Sequence, residues 1–508
     1  MKVLFGAHGS ALKIFHELDA RLRARNKVSD SAYWISDSSY YFNYIKDVNF
    51  FDSHNIKRIF EWEHTCKKGK VLPGEKRTTE LLKKYGMMPL WNAIVADRRL
   101  MYGEISKYHQ DYDCKFDQTE LESIIISTLH SLDLLITNFK PDVVATFVPA
   151  SFGDYLLALI AKANNIKYMQ LRSTKISNFV TFSDSLSATF DDFEKSYLSI
   201  YQNISNFTDI EKVDEYIKKA TEAPIQYEGT INAKELSILR SLVNTIKSLA
   251  VALKLAIAPV HPIVRCDNHV PPPIKTWLYN SLLKPLYKSK SNSLMTKKLI
   301  TLEEAAVHRI VFYPLHSEPE IALSIYGRDH QNQIETIRRI AQSIPLGWTL
   351  VVKEHPRSYG YRSANWYKKL LNIPNVKFAP LNDRPFFWIR KASAIITVSG
   401  FVGFESIMLR KPVIVLGDVA YSILPKSMVK HVGNISDLQT NLQNLIKNFS
   451  YDEFAVKAFV ATCMKLGEPV NLYSQLLAKK ERSSEQALSE SQQYDQLTYL
   501  FERRSGSI

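Results

Sequence analysis

No uninterrupted apolar run in the 508-residue chain approaches the roughly 20 residues needed to cross a bilayer. The opening run Met1-Lys-Val-Leu-Phe5 breaks at Gly6, so it lacks the apolar core of a signal peptide and reads as a first β-strand. Cysteine is scarce. Cys66, Cys114, Cys266 and Cys463 show neither metal-ligand spacing nor a paired framework, which excludes a disulfide scaffold and points to a reducing compartment. Internal repeats, low-complexity tracts and the compositions of disorder or collagen are all absent. So is any recognition-helix signature or stacking pattern for nucleic acid. Acidic residues are outnumbered, 65 basic against 51, leaving a net charge of +14. That excess favours an anionic partner without choosing between lipid, phosphorylated substrate and nucleic acid. The expectation is a cytoplasmic protein, either soluble or held at the inner face of the membrane.

A chain this long exceeds what one core usually supports. Residues 1–207 read as a first Rossmann-like domain, 208–300 as a basic helical linker or insertion, 301–450 as a second Rossmann-like domain, and 451–508 as helices packing back across both. Lys2–Phe5, the turn Gly6-Ala-His8-Gly9-Ser10 and Ala11–Arg23 form a strand, a glycine turn and a helix. His8 is then a base or acceptor-binding group in a cleft, or merely part of a tight turn. Val28–Phe60 reads as alternating short strands and turns, with Tyr40-Tyr41-Phe42 as apolar bulk. Val143–Phe147 is a buried strand, and Ser151-Phe-Gly153-Asp154 opens a helix, so Asp154 is either a cap or a catalytic carboxylate at the rim. Ile166–Leu171 delivers Arg172 to its C-terminal end. Lys67-Lys68-Gly69-Lys70 reads as a solvated loop. Asp111-Tyr112-Asp113 spells a metal-binding Asp-x-Asp but lies in a polar run and ends no strand, so no metal site is assigned to it. The prolines 271–273 break a lysine-rich helical region. Beyond them Trp277–Lys290 mixes aromatics with lysines, as a membrane-surface segment does, or as a linker packing its apolar side on the domains does.

The stretch from Trp348 to Tyr421 organises the second domain. A strand ending at Lys353 breaks at Glu354-His355-Pro356-Arg357, and the run Ala394–Val398 leads into Ser399-Gly400-x-x-Gly403-x-Glu405. A third strand, Arg309–Tyr313, delivers Pro314-Leu-His316-Ser-Glu318-Pro-Glu320. In a parallel sheet these loops share one rim. Glycines let a backbone approach a ligand, a helix start offers N–H groups to phosphate, and Ser399 adds a hydroxyl. Glu405 is placed to accept from a ribose diol. Lys353, His355 and Arg357 supply positive or protonatable groups alongside. A glycine-rich loop beside a basic one suggests an anion site with phosphate as occupant. His316 with Glu318 and Glu320 matches no metal signature and fits better as a contact to base or sugar.

With those residues in place, the C-terminal unit resembles the capsule polysaccharide biosynthesis family of bacterial glycosyltransferases, which includes β-Kdo transferases of capsule and lipopolysaccharide assembly. The matching positions are Tyr313-Pro-Leu-His316-x-Glu318-Pro-Glu320, Gln333, Ile344-Pro345-x-Gly347, Val352-Lys-Glu-His-Pro356, Gly360-Tyr-Arg362, Pro374-Asn-Val376, Thr397-x-Ser-Gly400-x-x-Gly403-x-Glu405 and Lys411-Pro-Val-Ile-Val-Leu-Gly-Asp418. A looser echo runs from Arg172 through Asn178 to Phe182-Ser-Asp184. The resemblance implies an α/β protein of GT-B architecture: two facing Rossmann-like domains, a helical insertion and C-terminal bracing helices. A nucleotide-sugar donor would sit in the C-terminal domain and a glycan or lipid-linked glycan acceptor mainly in the N-terminal one. His355 and Ser399 would face the donor phosphate and Glu405 the nucleoside. The donor set is His316, Lys353, His355, Arg357, Ser399, Gly400, Gly403, Glu405 and Arg172, and the base or nucleophile comes from Asp154, His8 or Glu318. No cofactor and no catalytic metal are implied. Phe401 departs from the hydroxyl residue expected at its position, which removes one phosphate contact and leaves the donor open.

Overall fold

The computed structural model describes residues 1–65, 72–102, 116–189, 191–224, 238–258, 260–267, 270–318, 320–477 and 488–506. The Lys67–Lys70 loop, Asp111-Tyr112-Asp113, Pro319, Cys66 and Cys114 lie outside them. The chain divides into two compact units. One comprises Met1–Leu186, Tyr227–Trp277 and Gly467–Ile508, the other Ser187–Gln226 and Leu278–Leu466. The basic helical stretch 208–300 is thus shared between the units, and so are the C-terminal helices.

The first unit is built on β1 (Lys2–Ala7), β2 (Asp30–Ile35), β3 (Lys57–Phe60), β4 (Val143–Thr146), β5 (Lys167–Ser173) and β6 (Phe179–Ser183). The second contains β7 (Arg309–Pro314), β8 (Trp348–Lys353), β9 (Val376–Phe378), β10 (Ala394–Thr397), β11 (Val413–Val415) and β12 (Val429–His431), and a short β13 (Glu468–Pro469) returns to the first. The first sheet runs β13-β6-β5-β4-β1-β2-β3, parallel from β5 to β3, with β6 and β13 antiparallel at its edge. Val3, Leu4 and Phe5 of β1 are fully buried. Continuous apolar strands covered on both faces are what a parallel sheet requires. Helix Ala11–Ala24 puts Leu12, Phe15, Leu18 and Leu22 on this core. Helix Glu490–Ser505 adds Leu497 and Phe501 and is tied to the first helix by Lys13–Glu490 (2.8 Å) and Arg21–Asp495 (2.9 Å). Tyr40, Tyr41 and Phe42 are not in a strand or turn. They lie on helix Ser38–Tyr44, because the Asp37 side chain accepts from the Tyr40 N–H and caps a helix there.

The second sheet is parallel throughout, in the order β12-β11-β10-β7-β8-β9. Val311, Tyr313, Leu350, Val352, Ile396 and Ile414 face one layer of helices, with Ile337 and Ile340 of helix Gln333–Ser343 packed on them. Phe312 stacks on Trp388 of helix Pro385–Lys391 on the other face, centroids 6.5 Å apart. Helix Glu453–Leu466 stays with this unit, its Phe459 ring 4.6 Å from Phe404. At roughly 1.5–3 kcal/mol for each fully buried aliphatic or aromatic side chain, these layers hold the sheet. Two Rossmann-like α/β units, the composition of a GT-B protein, are therefore present. Among the described residues no helix is long and apolar enough to cross a membrane. Cys463 is buried and Cys266 exposed, neither in a disulfide.

Candidate functional site

In the second unit the chain runs from β7 outward through β8 and β9, then returns to the other side of β7 at β10. That reversal opens a crevice beyond the C-terminal ends of β7 and β10, where ligands bind in open α/β sheets. Pairing of Pro314 with Lys353 and of Phe312 with Ile395 ends β7, β8 and β10 in one row. The loops beginning at Leu315, Glu354 and Val398 consequently leave the sheet side by side. Their contacts confirm the adjacency. The Glu318 N–H donates to Ser358 Oγ (3.2 Å), and the Ser399 N–H points at His316 Nε2 (3.4 Å).

A buried ionic brace fixes two of these loops. Arg362, fully buried, donates through Nη1 to Glu354 Oε1 and through Nη2 to the His316 carbonyl (2.7 Å), with Glu318 Oε1 3.6 Å away. Tyr367 donates to the other Glu354 oxygen (2.5 Å), and Gln333 Nε2 donates to Glu318 and to the His316 carbonyl. Gln333 Oε1 accepts from the His316 N–H (2.7 Å). The His316 backbone is thus held on both sides. Burial pushes the Glu318 carboxyl above its usual range, and the Arg362 guanidinium and the Gln333 amide oppose that shift. Arg362 is held above its own range by Glu354 and Glu318 despite burial. Glu354, Arg362 and Gln333 stand among the family positions, yet the sequence alone gave them no role. Only Glu354, directly after β8, carried a local signal; Gln333 opens a helix and Arg362 lies nine residues past the strand, so their meeting depends on the fold.

The expected donor residues occupy different situations. His355 is half-buried, and its Nδ1 accepts from the Arg357 N–H (3.2 Å). The Nε2 therefore carries the proton and can donate to a ligand oxygen. Burial lowers its pKa. Arg357 is exposed and pairs with Glu320 at 3.6 Å. Lys353 turns inward: its ammonium donates to the carbonyls of Pro380 and Leu381, each at 3.0 Å, and burial lowers its pKa to about 8. Ser399 donates its hydroxyl to the Ala322 carbonyl (2.6 Å). Gly400 and Gly403 both sit in close packing, Gly403 the tighter. A Cβ on Gly400 would meet Thr397 Oγ1 at 3.0 Å and His316 Cε1 at 3.2 Å. One on Gly403 would meet the Tyr421 hydroxyl at 2.1 Å, the same hydroxyl that donates to the Gly400 carbonyl (2.6 Å). Glu405 is half-buried in helix Val402–Met408 and close enough to Tyr421 to raise that phenol's pKa further. The geometry brings His316, His355, Arg357, Ser399 and Gly400 to one rim. Lys353 begins there but points beneath it.

The first unit has its own reversal, where the chain goes from β1 through β2 and β3 and comes back at β4. His8 follows β1. Its Nδ1 lies 3.0 Å from Ser36 Oγ, and Arg99 donates from both Nη atoms to its Nε2 at 3.2 Å. The buried Asp97 carboxylate holds Arg99 Nε (3.3 Å) and the Phe152 N–H (3.1 Å). Asp154 is fully buried in the first turn of helix Phe152–Ala163. It is not the cap: Ser151 accepts from the Asp154 N–H (3.2 Å). Arg172 is half-buried near the end of β5, opposite Thr181. Arg99 had no sequence signal, since its partner His8 lies 91 residues away, nor had Asp97, which holds Arg99 and the Phe152 N–H 55 residues on. Among the described residues no group of His, Cys, Asp and Glu is arranged to hold a metal ion.

Residues 267–428, which contain all three rim loops of the second unit, match the family model described as capsule polysaccharide biosynthesis protein. The capsule family is thus the one this chain resembles over that stretch. Similar solved structures include the β-Kdo 2,7 transferase KpsC of Thermosulfurimonas dismutans, 10% identical over 70% of this chain and 90% of that one, TM-score 0.30. UDP-GlcNAc 2-epimerase from Neisseria meningitidis, bound to UDP-GlcNAc, is 15% identical over 90% and 94%, TM-score 0.25. Anabaena HepE in complex with UDP-glucose is 10% identical over 94% and 98%, TM-score 0.26. No curated protein sequence matches the chain.

Proposed function

We propose that the chain is a glycosyltransferase of bacterial capsule or lipopolysaccharide assembly that moves a sugar from a nucleotide donor to a glycan acceptor. The donor is a CMP-activated ulosonic acid, Kdo or a nonulosonic acid. The observation that supports this reading is the convergence of three loops at the reversal point of a sheet whose stretch matches the capsule family. The His355 Nε2–H and the exposed Arg357 give the rim donors for the phosphate and carboxylate of such a sugar nucleotide. Protein donors aimed at the departing phosphate stabilise it without a metal. Glu405 accepts from the nucleoside. Glu318 is committed to Arg362 and Gln333, which favours a positioning role for it and leaves Asp154 and His8 as candidate bases. The acceptor is a glycan or lipid-linked glycan, met in the cytoplasm or at the inner face of the cytoplasmic membrane.

Two measurements test the reading. Heat protection of the full chain by CMP, but not by UDP or GDP, is expected; protection by UDP or GDP alone replaces the donor with a nucleoside diphosphate hexose. Donor hydrolysis or transfer is expected to be nearly lost in His355→Ala and in Glu405→Ala. Turnover like that of the unmodified chain in both variants overturns the site.

A further inference from the structure

From residue 245 onward, helix Ile238–Ile257 carries most of its large aliphatic side chains on the side turned away from the protein. From residue 245 onward the inward side is the helical stripe Thr245, Leu249, Ala252 and Ala256, in which Leu249 is the one large aliphatic residue. Five others point outward. Ile246 is 70% exposed, Ile257 83%, and Val251, Leu253 and Leu255 about half exposed as well. A surface helix normally buries such residues and shows its alanines and polar groups to water. Two exposed lysines, Lys247 and Lys254, are the charges among them. Ile274 and Lys275 continue the pattern on the short helix Pro273–Leu278, whose Trp277 indole donates to the Thr245 carbonyl (3.2 Å).

The charge of this stretch is one-sided. Between position 238 and Trp277, where the first unit's part of it ends, the sequence has five Lys and Arg (Arg240, Lys247, Lys254, Arg265 and Lys275) and a single acidic residue, Asp267, which leaves four excess positive charges. Asp267 itself is buried and accepts from the Ser38 N–H (2.8 Å), so it neutralises nothing at the surface. Outward aliphatics flanked only by lysines match an anionic bilayer surface: the aliphatics enter the acyl boundary while lysine stems reach back to the headgroups.

We propose that helix Ile238–Ile257 is a membrane-docking element that lies in the interface of an anionic bilayer, Ile246, Leu253 and Ile257 leading its insertion. The proposal concerns residues other than the rim loops and stands whether or not the donor assignment does.

Co-sedimentation of the full-length chain with phosphatidylcholine vesicles, with and without phosphatidylglycerol, reads it directly. Binding to the phosphatidylglycerol vesicles that weakens with added salt is expected, with little binding to phosphatidylcholine alone. Each lysine near an anionic surface is worth about fivefold in partitioning, so Lys247→Glu with Lys254→Glu should lower binding at least about 25-fold. Ile246→Ser, Leu253→Ser and Ile257→Ser together should abolish it. All five positions are exposed, so the variants should fold, and their heat protection by nucleotide should be unchanged, which separates this test from that of the donor site. No preference for anionic vesicles, or undiminished binding by the triple serine variant, overturns the proposal. Light scattering that shows a dimer which the triple variant turns into a monomer also overturns it and assigns the face to a second copy of the chain.

Discussion

Replacing Arg362 by Met probes the brace beneath the rim. The methionine keeps an apolar stem over the Trp366 ring, on which the guanidinium lies 4.5 Å from the centroid. What it removes is the only cation bonded to Glu354 among the described residues, along with a donor to the His316 carbonyl. Taking one partner from a buried ion pair costs about 3–5 kcal/mol, and the lost bond to a backbone carbonyl about 1 kcal/mol more. Against a domain stability of about 5–15 kcal/mol, the expected loss of about 4–6 kcal/mol is severe. Urea unfolding followed by tryptophan fluorescence measures it, and saturating nucleotide identifies the transition of the second unit. The loss should also depend on pH. Without Arg362, Glu318, whose carboxyl burial already raises, loses the guanidinium that opposes that shift, so its folded pKa rises further above the unfolded value. An acid raised on folding takes up protons in the native state, so its penalty is relieved as pH falls toward the unfolded carboxylate range. Arg362→Met should therefore be less destabilising near pH 5 than near pH 7.5. Adding Glu354→Gln should recover at least about 2 kcal/mol relative to the sum of the single changes. A loss below about 1 kcal/mol at pH 7.5, or one that does not change with pH, refutes the brace.

Gly403→Ala should destabilise the second unit by about 1–3 kcal/mol, because its methyl displaces the Tyr421 hydroxyl from Gly400; in a Tyr421→Ala background the same change should be nearly neutral by thermal unfolding. Lys353, lowered by burial to about 8 from a usual 10.5, makes the unfolded chain bind more protons between those values, so stability should rise with pH across that window. Lys353→Met should flatten that rise, on the order of 3 kcal/mol in all, as read from unfolding midpoints at pH 7.5 and 10.5. His355, kept below its ordinary range by burial, is neutral near pH 7, so nucleotide should bind more tightly as pH falls toward 6 and draws a proton onto the ring. Isothermal titration in two buffers of different ionisation heat should show that proton uptake, and His355→Gln should remove it.

Both sheets were legible because their strands are uninterrupted runs such as Val311-Phe312-Tyr313 and Ile395-Ile396, buried on both faces, and each breaks where a polar loop begins. The rim loops were legible for the same reason. Local pattern could not show how far packing constrains them. The need for Gly403 comes from Tyr421, eighteen residues on, and the inward turn of Lys353 comes from carbonyls at Pro380 and Leu381. Tyr40-Tyr41-Phe42 was misassigned because three consecutive aromatics suit a strand, yet the Asp37 cap makes a helix there. The division of residues 208–300 between two units depends on where a chain crosses, which no periodicity records.

Hydrogen–deuterium exchange of the full chain with and without CMP tests the central claim most directly. Protection concentrated in residues 315–320, 354–358 and 399–405 is the predicted result. Protection confined to other segments, with those three loops exchanging unchanged, contradicts it.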